Sequence, residues 1–573
     1  MSPTRIGNCS GYYGDRASAM VEMLEGGQLD YLTGDYLAEL TMLILGRDRM
    51  KDPNLGYAKT FVRQLKDSLR LAHERGVTIV ANAGGLNPSG LAGAIRELAL
   101  DQGIDVPIAY VDGDDVRDRA PELGAPDALA ANAYLGAFGI ADALRAGARI
   151  VVTGRVTDAS VVVGPAIHAF DWRREQFNAL AGAVVAGHVI ECGTQATGGN
   201  FSGFRSFDRT KPLGFPIAEI APDGSSVITK HADTGGAVTI DTVTAQLVYE
   251  IQDERYYNPD VTVHFDSIEL NQQGPDRVSV TNVHGGPPPS RTKVGINRLG
   301  GFRNVVEFVL TGLDIEDKAE WVRAQMEAGM ARNLPESIEW DLQRTDHSDP
   351  DTQAKAAALY RCSVKSMDPE KVGRSFTNSA IEIALASYPG FHVTAPPKAG
   401  VPFGVFTAGY LSQSEVPHRV THADGSVSQI ATPESVSDIR AAGPLYIPPT
   451  WEPSSAQTQR VPLGRVAHAR SGDKGGNANI GVWIGADHPN RDRAWAWLCA
   501  ELTPERIREL LPEARDLDVS VTYLPRIKAI NIVIDGILGD GVAAGTRHDP
   551  QAKALGEWLR ARLVDVEEDL IHE

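Results

Sequence analysis

The chain has little cysteine, a deficit of positive charge and no long apolar run. Its 573 residues include only four cysteines, Cys9, Cys192, Cys362 and Cys499. They lie too far apart for a disulfide framework or a zinc ribbon, and that usage fits a reducing compartment. Fourteen histidines show no HExxH or other clustered ligand spacing, so a zinc site is not indicated. Lys and Arg number 55 against 74 Asp and Glu, a formal charge of −19. That balance argues against nucleic acid and against a polybasic membrane contact. No apolar stretch would span a bilayer, and Met1-Ser2-Pro3-Thr4-Arg5 opens no signal core. A cytoplasmic protein is expected.

What is present reads as several globular cores, two to four domains for this length. Over residues 1–206, short β-rich runs at 77–81, 106–111 and 148–153 alternate with helical stripes. Ala58, Phe61, Val62, Leu65, Leu69 and Ala72 form the strongest stripe, and Gly76 stops it. Strands alternating with helices predict an α/β domain with a parallel sheet and sites at the strand C-terminal ends. From 207 to 446 proline, glycine and β-branched residues increase, predicting a second, α+β domain, possible as a continuation of the first. Helices are expected near 314–333 and 368–386. A proline-rich linker is read at 447–461. The remainder, 462–573, reads strand, glycine turn, strand, helix, strand, strand, helix, which predicts a ferredoxin-like α+β sandwich. Its helices are expected near 492–511 and 550–564.

Four loops carry candidate chemistry. The first, Gly7-Asn8-Cys9-Ser10-Gly11-Tyr12-Tyr13-Gly14-Asp15, joins a strand to a helix, so Gly11 and Gly14 could face an anion. It is neither a dinucleotide nor a Walker fingerprint. The second, Asn82-Ala83-Gly84-Gly85-Leu86-Asn87, offers two amides and two glycine N–H groups for a carbonyl or carboxylate. The third, Thr153-Gly154-Arg155-Val156-Thr157-Asp158, supplies Asp158 as a helix N-cap or a proton-transfer group. The fourth, His188-Val189-Ile190-Glu191-Cys192-Gly193, ends an apolar helix and leads to Gly198-Gly199. Glu191 is a candidate general acid or base if burial raises its pKa, and Cys192 a candidate nucleophile. Asp35, in Thr33-Gly34-Asp35-Tyr36, is a cap or an acid at another strand end. Glu39 reads as a carboxylate on a solvated face.

The last domain holds Arg470-Ser471-Gly472-Asp473-Lys474-Gly475-Gly476-Asn477-Ala478-Asn479 between strands read at 464–469 and 480–484. Arg470, Asp473 and Lys474 give it an anion fork, an acceptor and a mobile cation. The plainer alternative is a hairpin with a solvated, charged tip.

Taken together, the segments 8–15, 33–36, 82–87, 153–158, 191–199 and 470–479 resemble the acyclic terpene utilisation AtuA family, over almost the whole chain. The resemblance implies a C-terminal ferredoxin-fold domain and a place near the breakdown of citronellol- and geraniol-derived acyl-CoA intermediates. It brings no established catalytic residues. The expected activity is a cofactor-independent lyase or hydratase on a branched acyl-CoA or carboxylate. Glu191 and Asp158 move protons, with Asp35 and Cys192 as further catalytic candidates. Backbone groups at Gly84-Gly85 and Gly198-Gly199 hold an oxyanion, and Arg470 and Lys474 bind phosphate or carboxylate. The alternatives are a non-catalytic scaffold of an acyl-CoA pathway and a hydrolase using Cys192. No metal is predicted, although Asp15, Asp35 and Asp158 could recruit a divalent ion, because oxygen-ligand metals leave no spacing signature. A symmetric homo-oligomer is expected.

Overall fold

The computed structural model describes residues 2–437 and 446–572. The end of the domain read at 207–446, residues 438–445, lies outside the described residues. The chain divides into two compact units. The first combines Met1–Asn297 with Phe406–Val542 and Asp549–Glu573; the second combines Arg298–Val405 with Ala543–His548.

The first unit is organised by strands β1 (Thr4–Asn8), β2 (Tyr31–Gly34), β3 (Thr78–Ala81), β4 (Ile108–Asp112), β5 (Ala130–Ala133) and β6 (Ile150–Thr153). Five of them lie side by side in the order β1-β2-β3-β6-β4, every neighbouring pair parallel. Strands β2, β3 and β6 are buried at every residue, as a sheet covered on both faces requires. The strongest helical stripe forms Lys59–Arg75, and Gly76 caps it in the left-handed region. Further strands extend this sheet at both edges. Beside β1 lie β7 (Pro216–Ile220) and β8 (Ser226–Lys230), then Arg277–Thr281 and Glu269–Gly274; beside β4 lies Arg419–Thr421, then Val427–Gln429. Among the described residues the sheet has eleven strands, with β7 and Arg419–Thr421 antiparallel to their inner neighbours.

Near the C-terminus, His468–Lys474, Asn477–Trp483, Ala529–Ile534 and Val519–Leu524 form an antiparallel sheet in that spatial order. Alternation along the strands sends Ala478, Ile480, Val482, Ile530, Ile532 and Ile534 into a core with Leu498, Ile507 and Leu559 of the helices Arg491–Glu501, Pro504–Leu510 and Leu555–Ala561. The single helix read at 492–511 is therefore two. Pro504 lacks the N–H an uninterrupted helix needs, and Thr503 caps the second helix by accepting from Arg506 N.

The other face of this sheet is also buried, against the end of the helix Ile240–Leu247 and the residues that follow it. Trp483 is wholly buried, and its indole N–H donates to Asp241 at 3.0 Å. A Cβ on Gly481 would lie 2.1 Å from Val248, so only glycine permits that approach. The hairpin tip differs from its sequence reading. Both strands run through the charged segment and leave Gly475-Gly476 as a two-residue turn, with Gly475 at φ +65°. Its charged residues are consequently strand residues. Arg470 is buried rather than solvated.

In the second unit, the C-terminal half of the strand Arg291–Thr311 pairs with Ala357–Ser366, and that strand pairs with Ser337–Gln343. Val322, Met326 and Met330 of the helix Ile315–Met330 and Phe376 of the helix Arg374–Ile381 close its core over Phe308, Cys362 and Val364. The helix read at 368–386 is Pro369–Val372 followed by Arg374–Ile381.

Candidate functional site

Parallel strands bring their C-terminal ends to one edge, and polar residues collect there. Asn8, at the end of β1, donates its amide N–H groups to the carbonyls of Ser10, Ile190 and Glu191 at 3.0, 2.8 and 2.8 Å. It thereby holds the end of the helix Phe177–Ile190 against the sheet edge. Asp35 follows β2 directly; its backbone N–H donates to Ser10 O at 2.9 Å. Its Oδ1 accepts from Asn82 Nδ2 at 2.6 Å and from Leu37 N at 3.0 Å. Asn82, following β3, fixes its own amide by accepting from Tyr36 N at 2.8 Å. Asp114, two residues past β4, accepts from Arg155 N at 2.8 Å and from Asn132 Nδ2 at 2.7 Å. That pins the loop after β6, in which Arg155 donates to Asp158 Oδ1 at 2.6 Å and lies 4.1 Å from the Tyr134 ring centroid.

These constraints converge. Asp35, Asp158 and Glu191 each place a carboxylate oxygen within 4.8 Å of the other two. Burial is the main reason the Asp35 carboxyl is pushed up to about 7; neighbouring Asp158 adds to the rise, while Arg155 and Asn82 oppose it. Glu191, which ends its helix, is pushed well above the usual carboxylate range by burial, then by Asp158, Asp35 and Glu250; Lys474 opposes. One helical turn before it, His188 places Nδ1 3.7 Å from Glu191 Oε1 and packs against Tyr256 and Phe265. Burial, and next to it Lys474, lower the imidazole to about 4, which keeps it neutral.

A family model described as acyclic terpene utilisation family protein AtuA matches residues 4–422, and one for the AtuA ferredoxin-like domain matches 461–565. The chain belongs to the AtuA family. Membership supports a role in acyclic terpene utilisation, and the second match makes the C-terminal α+β sandwich ferredoxin-like. Neither the curated proteins nor the solved structures yield a match.

In this AtuA-family chain the ferredoxin-like domain reaches the same edge. Arg470 lies 4.1 Å from the Tyr249 ring centroid and donates to the side chain of Gln195, just past Glu191. Lys474 Nζ donates to Glu250 O at 2.7 Å. Burial, with Glu250 next, pushes the Asp473 carboxyl up to about 7. Lys553 bonds the Tyr249 hydroxyl and lies 3.7 Å from Glu250 Oε1.

The glycine loops are occupied differently. Gly85 N donates to Asn82 O, Gly198 N to Gln195 O and Gly199 N to Thr194 O, all within their own turns. Gly11 N donates to Asp15 Oδ2, and Gly14 is exposed beside Tyr12. A Cβ on Gly84 would stand 2.5 Å from Thr153 O, so this glycine packs the loop after β3 onto the end of β6. Asn87 caps the helix Pro88–Asp101 by accepting from Gly90 N, and its amide donates to Asn54 O and Leu55 O. Asp158 is engaged by Arg155, and the helix behind it, Ser160–Phe170, has no side-chain cap bond. Glu39 is partly buried against Lys293, 3.4 Å away, rather than solvated. Burial, then Glu191 and Glu250, push the Cys192 thiol well up and hold it protonated.

Several groups at this edge were not singled out from the sequence. His188 and Arg155 each lie three residues before a chosen carboxylate, a spacing that brings side chains together on a helical turn. Glu250 gives no such signal. It is a non-glycine residue at φ +57°, held by Asn479 and Lys474.

Proposed function

We propose that the chain is an enzyme that adds water to, or removes it from, a branched acyl-CoA or related carboxylate. The approach of Asp35, Asp158 and Glu191 to within 4.8 Å carries the reading. Hydration beside a thioester takes a proton from water as its oxygen bonds the β-carbon, and delivers a proton to the α-carbon. Elimination reverses both transfers. A group that titrates near neutrality, as Asp35 does at about 7, suits either direction. Glu191, whose carboxyl burial and the neighbouring carboxylates push well above the usual range, is the acid, and Lys474 and Arg470 supply positive charge for the anionic part of the substrate.

The test is turnover of branched enoyl-CoA and 3-hydroxyacyl-CoA thioesters, followed by solvent ¹⁸O incorporation. Asp35→Asn and Glu191→Gln should each lower kcat by about 10²-fold or more, the usual worth of a positioned acid or base. Wild-type rates in both variants would overturn the assignment. The second reading, a non-catalytic scaffold, is favoured by one observation: N–H groups of the glycine loops are engaged within their own turns. It predicts acyl-CoA-independent capture of pathway enzymes and no turnover. The protonated Cys192 thiol does not support a thiol hydrolase.

A further inference from the structure

Two features of the carboxylate cluster remain unaccounted for by proton transfer alone. The first is a set of buried polar atoms without partners. His188 is 2% exposed and Glu191 6%, yet among the described residues Glu191 Oε2 has no hydrogen-bond partner and neither imidazole nitrogen makes a bond of good geometry, the Gln246 backbone being the ring's one weak contact. Orphaned buried groups of this kind are rare and mark a bound ion, a ligand or ordered water. His188 Nδ1 lies beside one member of the cluster, 3.7 Å from Glu191 Oε1.

The second feature is charge. Arg155 is buried and paired with Asp158 at 2.6 Å. Among the described residues, the Asp35 carboxylate accepts from the neutral Asn82 amide and a backbone N–H, and Glu191 has His188 as its ion-pair neighbour. When a cation displaces their protons, Asp35 and Glu191 bring two negative charges that have no adjacent cationic partner among the described residues. Three carboxylates around one guanidinium leave room for one doubly charged ion.

The geometry agrees. Three atoms that lie within 4.8 Å of one another share a point no more than about 2.8 Å from each, close to the roughly 2.0–2.6 Å of oxygen ligands on magnesium and calcium. A contraction of up to about 0.7 Å brings all three oxygens to magnesium distance. We infer that Asp35, Asp158 and Glu191 bind one divalent cation, with His188 supplying a nitrogen ligand or orienting Glu191. Carboxylates with one imidazole suit a cation of the Mn²⁺ or Mg²⁺ class better than a thiolate-seeking one. Asn82 and Arg155 then orient the carboxylates from behind, as outer-shell partners do around bound metals. The inference rests on this cluster being the reaction centre and changes what fills it: the cation polarises the substrate oxygen, and water on the cation becomes the base.

The experiment uses the full chain, stripped with EDTA and titrated with Mn²⁺ by electron paramagnetic resonance and calorimetry. One Mn²⁺ per chain is expected, competed by Mg²⁺, with a rise in melting temperature. Glu191→Gln and Asp35→Asn should each weaken binding at least tenfold; His188→Phe separates a ligand from a bystander by the same readout. Absence of bound Mn²⁺ at 1 mM in the wild-type protein overturns the inference, and so does binding that both carboxylate variants leave unchanged. The two proposals fail separately. Undiminished hydration in EDTA with no bound Mn²⁺ removes the cation and keeps the acid–base reading. Stoichiometric, variant-sensitive Mn²⁺ binding without acyl-CoA turnover keeps the cation and removes the reaction.

Discussion

Replacing Asn479 by Ala tests how the ferredoxin-like domain is tied to the edge that carries the carboxylates. Asn479 is completely buried. Its Oδ1 accepts from Glu250 N at 2.7 Å, and its Nδ2 donates to Val248 O at 2.8 Å and to Asn531 Oδ1 at 2.6 Å. Truncation strands one donor and removes a partner from two acceptors. A buried polar group left without its bond costs about 1–3 kcal/mol, so the three together come to roughly 3–9 kcal/mol, less where water fills the space. Unfolding entropy of about 2 cal/mol/K per residue converts this to a fall in Tm of about 3–8 °C for a chain of this length. Calorimetry reads the total. Hydrogen exchange reads the place: the Glu250 amide should lose protection first. Asn477→Ala is the control, because Asn477 bonds Asp535 and Gly536 at the exposed end of the same strand; it should move Tm by less than 1 °C. A fall below 1 °C for Asn479→Ala, with Glu250 still protected, would refute the reasoning.

Burial pushes the Asp114 carboxyl up to about 7, against the two bonds it accepts from Arg155 and Asn132. The folded state then binds more protons than the unfolded chain between about pH 4 and 7, so this group's contribution is greatest below pH 4 and falls, by about 1.4 kcal/mol per unit, up to pH 7. Asp114→Asn should flatten the decline in Tm between pH 5 and 7.5; equal slopes for the two proteins would contradict it. Because the Cys192 thiol is held protonated, iodoacetamide at pH 7.5 should modify it at least tenfold more slowly than a free thiol, and Cys192→Ala should keep most of the activity. Rapid labelling that abolishes turnover would reverse that view. Lys474→Ala should raise KM for an acyl-CoA more than it lowers kcat, and unchanged kinetics would exclude its role in binding the anion.

Strand ends were the legible part of this chain. Periodicity and glycine placed Asp35, Asn82, Asp158 and Glu191 at ends of elements, and a parallel sheet brings such ends to one edge. The charged hairpin was harder. Its three glycines suggested an open loop, whereas Gly472 packs its backbone onto Tyr249 and only Gly475-Gly476 turn. The partners of these residues were harder still. Glu250 acquires its position from a bond to Asn479, more than two hundred residues away, and no local pattern encodes a pairing across that distance. Which loop N–H groups face a ligand and which close their own turns also depends on geometry that composition does not carry.

The ferredoxin-like sheet that contacts Val248, Tyr249 and Glu250 begins only at His468. At about 5–20 residues per second, a ribosome makes the carboxylate-bearing strands early and reaches this covering sheet tens of seconds later. During that interval Val248 and Tyr249, buried in the finished protein, lack the sheet that covers them. The nascent chain therefore carries an apolar face for a fixed span of synthesis, open to chaperones and to neighbouring nascent chains. A message truncated in its last fifth would yield a product with that face permanently uncovered, marked for degradation rather than left with partial activity.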